Sequence, residues 1–259
     1  MIEFLGSLST LWGAFTTMVL TTLSGLLVYL ISHQFISKYM RDDLKDAVAS
    51  LFRVVSILVS LMLSLAFSEV IIEMQAVEKS IEREAVAISD IFIALQHYDE
   101  KVAAEIRSIL VDYAYAVSDD EWPALANDHL GQRANVLKQK FTDALLKLNP
   151  ANRAQEQIWS SVLADVDVVS DNRLKRLDGA LSKPPVYINV VFFGFLITMV
   201  FFGTYRPEPV LIALSSLYTL FVGLVLYLII ALSDPFHGGM ALEPNTFRLL
   251  AETLAIELQ

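Results

Sequence analysis

Four serines, Ser56, Ser60, Ser64 and Ser68, recur every four residues inside an apolar run, and Arg53 falls on the same side at one end. At 3.6 residues per turn this spacing draws a slowly drifting hydroxyl stripe down one helix face. Two chemistries fit the stripe. Short side chains let helices approach closely, with hydroxyls bonding across the contact. Alternatively, copies of the helix surround a wet pathway, since polar groups at membrane depth are tolerated where they line water. One helix encloses nothing, so the second reading requires a homo-oligomer. Arg53 would favour anions there, whereas an acidic vestibule would concentrate cations, so these residues leave the ion open. A companion set, Gly13, Thr17, Thr21 and Gly25, repeats at the same interval. Its two glycines have no side chain to line anything, which assigns the set to helix packing, with the second apolar helix as the expected partner.

Glu69 is the one ionisable residue well inside an apolar block. Near the block's polar end it can reach headgroup water or pair with Lys183. Glu69, Glu73 and Asp234 together would offer oxygen ligands for a cation or regulatory site. Asp234, preceding Pro235, also suits a turn or a helix N-cap. Nothing else points to a metal: His33, His97, His129 and His237 are scattered, and with zero cysteines Cys-ligated zinc, iron–sulfur clusters and thiol catalysis are excluded. The chain has no G-x-S-x-G, no H-E-x-x-H and no phosphate loop, so neither an enzyme nor a cofactor is expected.

The elements that position these residues are membrane helices. Of 259 residues 55% are hydrophobic and 19% charged, with a mean hydropathy of +0.53. The net charge of −10 excludes a basic nucleic-acid-binding surface. Apolar residues gather in four blocks, Phe4 to Ser32, Val54 to Ile72, Pro184 to Tyr205 and Pro209 to Ser233, each long enough to span a bilayer. Backbone groups in hydrocarbon need internal partners, so the blocks read as helices, at about 8–33, 51–72, 184–205 and 209–233. Met1-Ile2-Glu3 lacks the basic start of a signal peptide, so the first block reads as a retained span. Lys38, Arg41, Lys45 and Arg206 on the short connections balance Lys79, Arg83, Arg173, Lys175, Arg176 and Lys183 beside the polar domain, which leaves the sidedness open.

Residues 73–183 form that polar domain, with 19 Asp or Glu against 13 Lys or Arg. Val77, Ile81, Ala85, Ile88, Phe92 and Leu95 have helical period, and nothing after Ile72 breaks the second span, so one helix is expected to leave the bilayer. Val102, Ile106, Ile109, Leu110, Tyr113 and Val117 mark a second helix, ending before Pro123. A third runs from about Asp128 to Leu148. A fourth reaches Leu181 with Pro150 at its first position. Residues 234–259 hold a turn and a short amphipathic helix on Phe247, Leu250 and Leu254. Four spans place both termini and the polar domain on one side. The expected fold is an all-α membrane protein, four transmembrane helices with a helical extramembrane domain between the second and third.

Specific residues resemble a known family. Glu82-Arg83-Glu84-Ala85 with Asp90, then Tyr113, Glu121-Trp122-Pro123, Arg173 to Leu177, and Asp234-Pro235-Phe236-His237-Gly238 with Pro244 and Phe247 resemble the bestrophin-like family. The ending departs from the pattern, lacking a residue between Asp234 and Pro235. The resemblance implies kinship with bestrophins, pentameric anion channels of four spans per subunit whose second helix lines the pore and whose polar domain is cytoplasmic. It implies a multi-pass protein of the plasma (inner) membrane, with the lipid bilayer, inorganic ions and its own copies as partners. The expected function is a homo-oligomeric ion channel or channel-like protein. The alternative is a non-conducting sensor or scaffold whose acidic domain docks a partner.

Overall fold

The computed structural model describes residues 10–98, 100–127, 129–181 and 187–258, all helix, turn or coil with no strand among them. In chain order the helices are α1 (Thr10–Ile36), α2 (Lys45–Gln96), α3 (Glu100–Ala116), α4 (Trp122–Leu125), α5 (Gln132–Leu146), α6 (Arg153–Leu181), α7 (Tyr187–Phe202), α8 (Pro209–Leu232) and α9 (Asn245–Glu257). The expected start of the first span at residue 8, Asp128, the Val102 side chain and the Lys183-Pro184-Pro185 entry to the third span lie outside the described residues, as does any Glu69–Lys183 pair.

The chain divides into two compact units, one of residues 1–74 and 183–241, the other of residues 75–182 and 242–259. The C-terminal stretch is therefore not a separate piece: its turn belongs to the first unit and α9 to the second. Among the described residues α1, α2 and α8 are long and apolar enough to cross a membrane, while the apolar part of α7 is shorter, Ile188–Phe202. The 16 residues of α7 rise about 24 Å, somewhat less than a hydrocarbon core of roughly 30 Å.

In the first unit a core of Tyr29, Ala66, Val70, Val191, Phe195, Met199, Val222 and Leu226 joins four helices. Lipid tails are as apolar as these side chains, so close packing rather than the hydrophobic effect must hold them. Gly13, Thr17, Thr21 and Gly25 are all buried on one face of α1. Their neighbours are α8 and α7, not α2 as expected from sequence proximity. A Cβ on Gly25 would lie 2.8 Å from Thr219 Cγ2 and 2.9 Å from Phe195 Cζ, and one on Gly223 would lie 2.8 Å from Met18 Cα. The Thr219 hydroxyl donates to Thr22 Oγ1 (3.1 Å) across the same seam. Because α1 takes up α8 and α7, it does not cover the serine side of α2.

In the second unit the stripe Val77, Ile81, Ala85, Ile88, Phe92 and Leu95 is buried throughout. Two sequence expectations fail locally. Pro123 does not end the second amphipathic helix: Val117–Glu121 widens into a π-helical turn and the chain continues helical through Trp122 and Pro123 into α4. The wider turn accommodates the proline ring, whose missing N–H matters least at a helix start. Pro150 does not open α6 either. Asn152 does, its Oδ1 accepting the Gln155 N–H (2.9 Å), while Gln155 Oε1 reaches back to the Ala151 N–H (2.8 Å). This reciprocal arrangement resembles a capping box and satisfies donors that Pro150 cannot.

Gly25→Ala should overpack the α1–α8–α7 contact and cost about 1–3 kcal/mol. A denaturant titration of helicity in detergent micelles checks this, with exposed Leu23→Ala expected to leave the midpoint unchanged.

Candidate functional site

The first feature is the outward face of α2. Arg53, Ser60, Ser64 and Ser68 are exposed and Ser56 is half-buried. The opposite face carries the contacts: Val59 sits 3.1 Å from where a Gly194 Cβ would be, Phe52 meets the Phe202 ring edge-on at 5.2 Å, and Ala66 and Val70 enter the core. Helical period forces this division, since core residues and serines occupy different sides of one cylinder. Among the described residues the Ser60, Ser64 and Ser68 hydroxyls make no hydrogen bond and Arg53 no ion pair. Elsewhere in the unit buried hydroxyls bond back to their own helix, as Thr17 does to the Gly13 carbonyl (2.8 Å). A cavity of about 540 Å³ opens beside Arg53, Ser56 and Ser60, walled by Phe52, Ile57 and Tyr205. Exposed Leu61, Met62, Leu65 and Ile72 flank the serines, a face that asks for lipid or protein cover.

The expected cation site does not form within one chain. Among the described residues no group of three acidic or histidine side chains is arranged to hold a metal. Glu69 and Glu73 are exposed. Asp234 is engaged locally, its Oδ1 accepting from the His237 ring at Nδ1 (2.8 Å) and from the backbone N–H groups of Phe236 (3.3 Å) and His237 (3.2 Å). It serves the turn that its place before Pro235 suggests.

The second feature lies wholly in the other unit and gathers seven of the residues that carry the family resemblance, Glu84, Tyr113, Glu121, Trp122, Arg173, Arg176 and Phe247. Arg176 and Glu84 have no exposed side-chain surface. Arg176 Nε donates to Glu84 Oε2 (2.9 Å) and its Nη2 to Glu121 Oε2 (2.9 Å). The Tyr113 hydroxyl donates to Glu84 Oε1 (2.6 Å), and Arg173 pairs with Glu121. The Arg176 guanidinium lies 5.9 Å from the Trp122 ring centre and 5.5 Å from that of Phe247. Trp122 is oriented by its Nε1–H, which donates to the Leu242 carbonyl (3.0 Å). Two carboxylates and two guanidiniums make the cluster neutral, and α2, α3, the π-helical turn, α4, α6 and α9 each supply a member.

Local sequence explains the placements. Glu84 stands between Ile81 and Ile88 on the buried stripe of α2, and Arg173 and Arg176 continue the stripe of Val162, Val166 and Val169 on α6. The π-helical turn shifts the register after Ala116 so that Ser118 and Glu121 turn inward. Gly131 allows the entry to α5 to press on this turn, since a Cβ there would lie 2.6 Å from Glu121 Cα. In the sequence Glu84, Tyr113, Glu121, Arg173 and Arg176 belong to the family resemblance but share no evident common role. The signal was present as charges at apolar positions of amphipathic helices.

Electrostatics hold the charges in place. Burial pulls the Arg176 guanidinium down, but Glu84 and Glu121 outweigh it and leave it raised. Burial, with Glu84 adding, pushes the Tyr113 phenol well above its ordinary value. It therefore stays a donor to Glu84. Arg176 Nη1 and Arg173 Nε have no hydrogen-bond acceptor; for Arg176 the two ring faces supply the remaining attraction.

A family model described as the Bestrophin-like domain matches residues 19–247. Crystal structures of two point variants of a bacterial bestrophin homologue from Klebsiella pneumoniae are similar in fold. One has a TM-score of 0.71 at 13% identity, covering 95% of this chain and 98% of that one. The other has a TM-score of 0.68 at 13% identity, covering 94% and 98%. A crystal structure described only as a membrane protein aligns with a TM-score of 0.67 at 12% identity, covering 95% and 98%. No curated protein matches the chain.

Arg176→Met leaves two buried carboxylates short of a cation and should cost about 3–5 kcal/mol, read as a lowered melting temperature in detergent. Tyr113→Phe should cost only about 1 kcal/mol at neutral pH. Because the folded phenol is raised above its unfolded value of 10.0, its contribution is whole below that pH and drains as pH rises toward the folded value. Tyr113→Phe should therefore flatten the alkaline decline in stability.

Proposed function

The chain belongs to the bestrophin-like family, and from that premise we propose that it forms a homo-oligomeric ion channel whose pore is lined by α2. The four apolar helices each cross the plasma (inner) membrane, residues 73–183 form an inserted cytoplasmic domain, and both termini lie on that side. Five copies surround one axis, as the family resemblance implies. Arg53, Ser56, Ser60, Ser64 and Ser68 line the pathway, its ions exchange hydration for serine hydroxyls, and no substrate is turned over.

The observation that carries this reading is the free hydroxyl face. A single chain buries the opposite side of α2 and leaves Ser60, Ser64 and Ser68 exposed without hydrogen bonds. In lipid an exposed hydroxyl row gains nothing, whereas at a water-filled axis each hydroxyl finds partners. The same face leaves apolar Leu61 and Leu65 beside the serines for contact with the next copy of α2.

Purified protein in planar bilayers should give single-channel currents, and Ser64→Leu or Ser60→Leu should reduce the unitary conductance while the oligomer survives. Silence at high protein load, with the oligomer intact, would favour a non-conducting scaffold. A strict monomer in lipid would remove the pathway outright.

A further inference from the structure

A guanidinium carries five N–H donors, and in Arg176 three of them are accounted for: Nε by Glu84 Oε2, and Nη2 by Glu84 Oε1 (3.2 Å) and Glu121 Oε2. Nη1 is left over. Among the described residues three buried side-chain atoms of α6 stand without a hydrogen-bond partner, Asn172 Oδ1, Arg173 Nε and Arg176 Nη1. Their residues are 5%, 9% and 0% exposed, so bulk solvent does not complete them. We infer that one water molecule is held among these three atoms as a fixed part of the cluster, accepting from the two arginines and donating to Asn172.

Helix geometry brings the three together. Residues three and four apart share a helix face, and side chains lean toward the helix N-terminus, which lays the Arg176 guanidinium over the turn that holds Asn172 and Arg173. The fit against α2 agrees. The two helices run antiparallel, with Gly179 against Val77 and Asp165 near enough to Asp90 to feel its charge. Asn172 therefore stands level with Glu84, the residue to which the Arg176 guanidinium is bonded. Arg173 is drawn to the same place by Glu121, whose two oxygens take one arginine each. The Asn172 amide is held in its present sense by Nδ2, which donates to the Val168 carbonyl (2.8 Å), so Oδ1 is the end left over.

The donor set selects water. An anion would accept from both arginines but meet the Asn172 oxygen, and a cluster of two carboxylates and two guanidiniums has no net charge for it to balance. A cation would meet the two guanidiniums. The Trp122 and Phe247 rings attract the Arg176 charge but offer no lone pair to Nη1. A ligand that accepts twice and donates at least once suits all three atoms, and a buried water typically makes about three hydrogen bonds to groups of this kind. The site lies within one chain and does not require copies to assemble.

A map of the full chain in lipid, sharp enough to show ordered water, should place a peak within about 3.2 Å of Asn172 Oδ1 and Arg176 Nη1. Melting of two variants in detergent gives a second readout. In an ordinary core position a leucine that fills space is better tolerated than the cavity left by alanine. Here the order should reverse. Asn172→Ala leaves room for a second water between the arginines and the freed Val168 carbonyl, and should lower the melting temperature by about 2–4 °C. Asn172→Leu displaces the bound molecule and should lower it by about twice as much. Asn172→Leu melting at or above Asn172→Ala overturns the inference, as does a map in which the three atoms meet protein partners directly or enclose nothing. A peak that gains anomalous signal when bromide replaces chloride also overturns it, because the ligand would then be an anion. Failure of Asn172→Leu to fold where Asn172→Ala folds is the expected order at its extreme, and if neither folds the map of the unsubstituted protein decides alone.

Discussion

Arg176 has no contact with solvent, and its charge is tolerable there because two carboxylates and two ring faces replace its hydration. That requirement reaches every part of the second unit. Glu84 has to stand at a core position of α2, Glu121 has to be turned inward by a π-helical turn, and Phe247 has to arrive from the far end of the sequence. Gly131 is needed where α5 crosses that turn, since a side chain would strike the Glu121 backbone. Replacing such a cluster with apolar residues of equal volume would often be no less stable. Its value lies in direction: hydrogen bonds to a planar guanidinium tolerate far less rotation than apolar contact does.

The first unit obeys a different rule. Its helices meet through glycine and small hydroxyl residues, and the large apolar side chains of α1, such as Leu11, Trp12 and Leu23, remain outside. Close approach between α1 and α8 frees one side of α2. Buried hydroxyls such as those of Thr17 and Thr198 are satisfied by carbonyls of their own helices, so they bring no polarity to the interior. Those on the free side of α2 have no such partner, and their polarity faces whatever surrounds the chain. A channel would use that difference, since a pore needs unsatisfied groups that neither lipid nor the subunit's own packing has claimed.

Much of this was legible in the sequence. Long apolar blocks, helical period at Val77 to Leu95 and the interval of Gly13 to Gly25 each report a local property, burial or packing, that residue type reveals directly. The partner of the glycine face was not legible, because helix neighbours in a bundle are set by tertiary fit and α8 lies some 200 residues away along the chain. The breaks at Pro123 and Pro150 were misread for a related reason: a π-helical turn and an Asn152 cap depend on what the neighbouring helices demand. Asp234 looked like a cation ligand only while its hydrogen bonds to His237 and the turn were unknown. The cluster around Arg176 could have been suspected from Glu84 and Arg176 at apolar positions, but three separate helices had to be superposed before the charges balanced.

The most direct measurement is a structure of the assembled protein in a lipid bilayer. It should show copies of α2 around one axis, Ser60, Ser64 and Ser68 facing a water-filled line, and Glu84 against Arg176 in every subunit. Serines packed between neighbouring helices or turned to the acyl chains, with lipid or solid protein on the axis, would contradict the account.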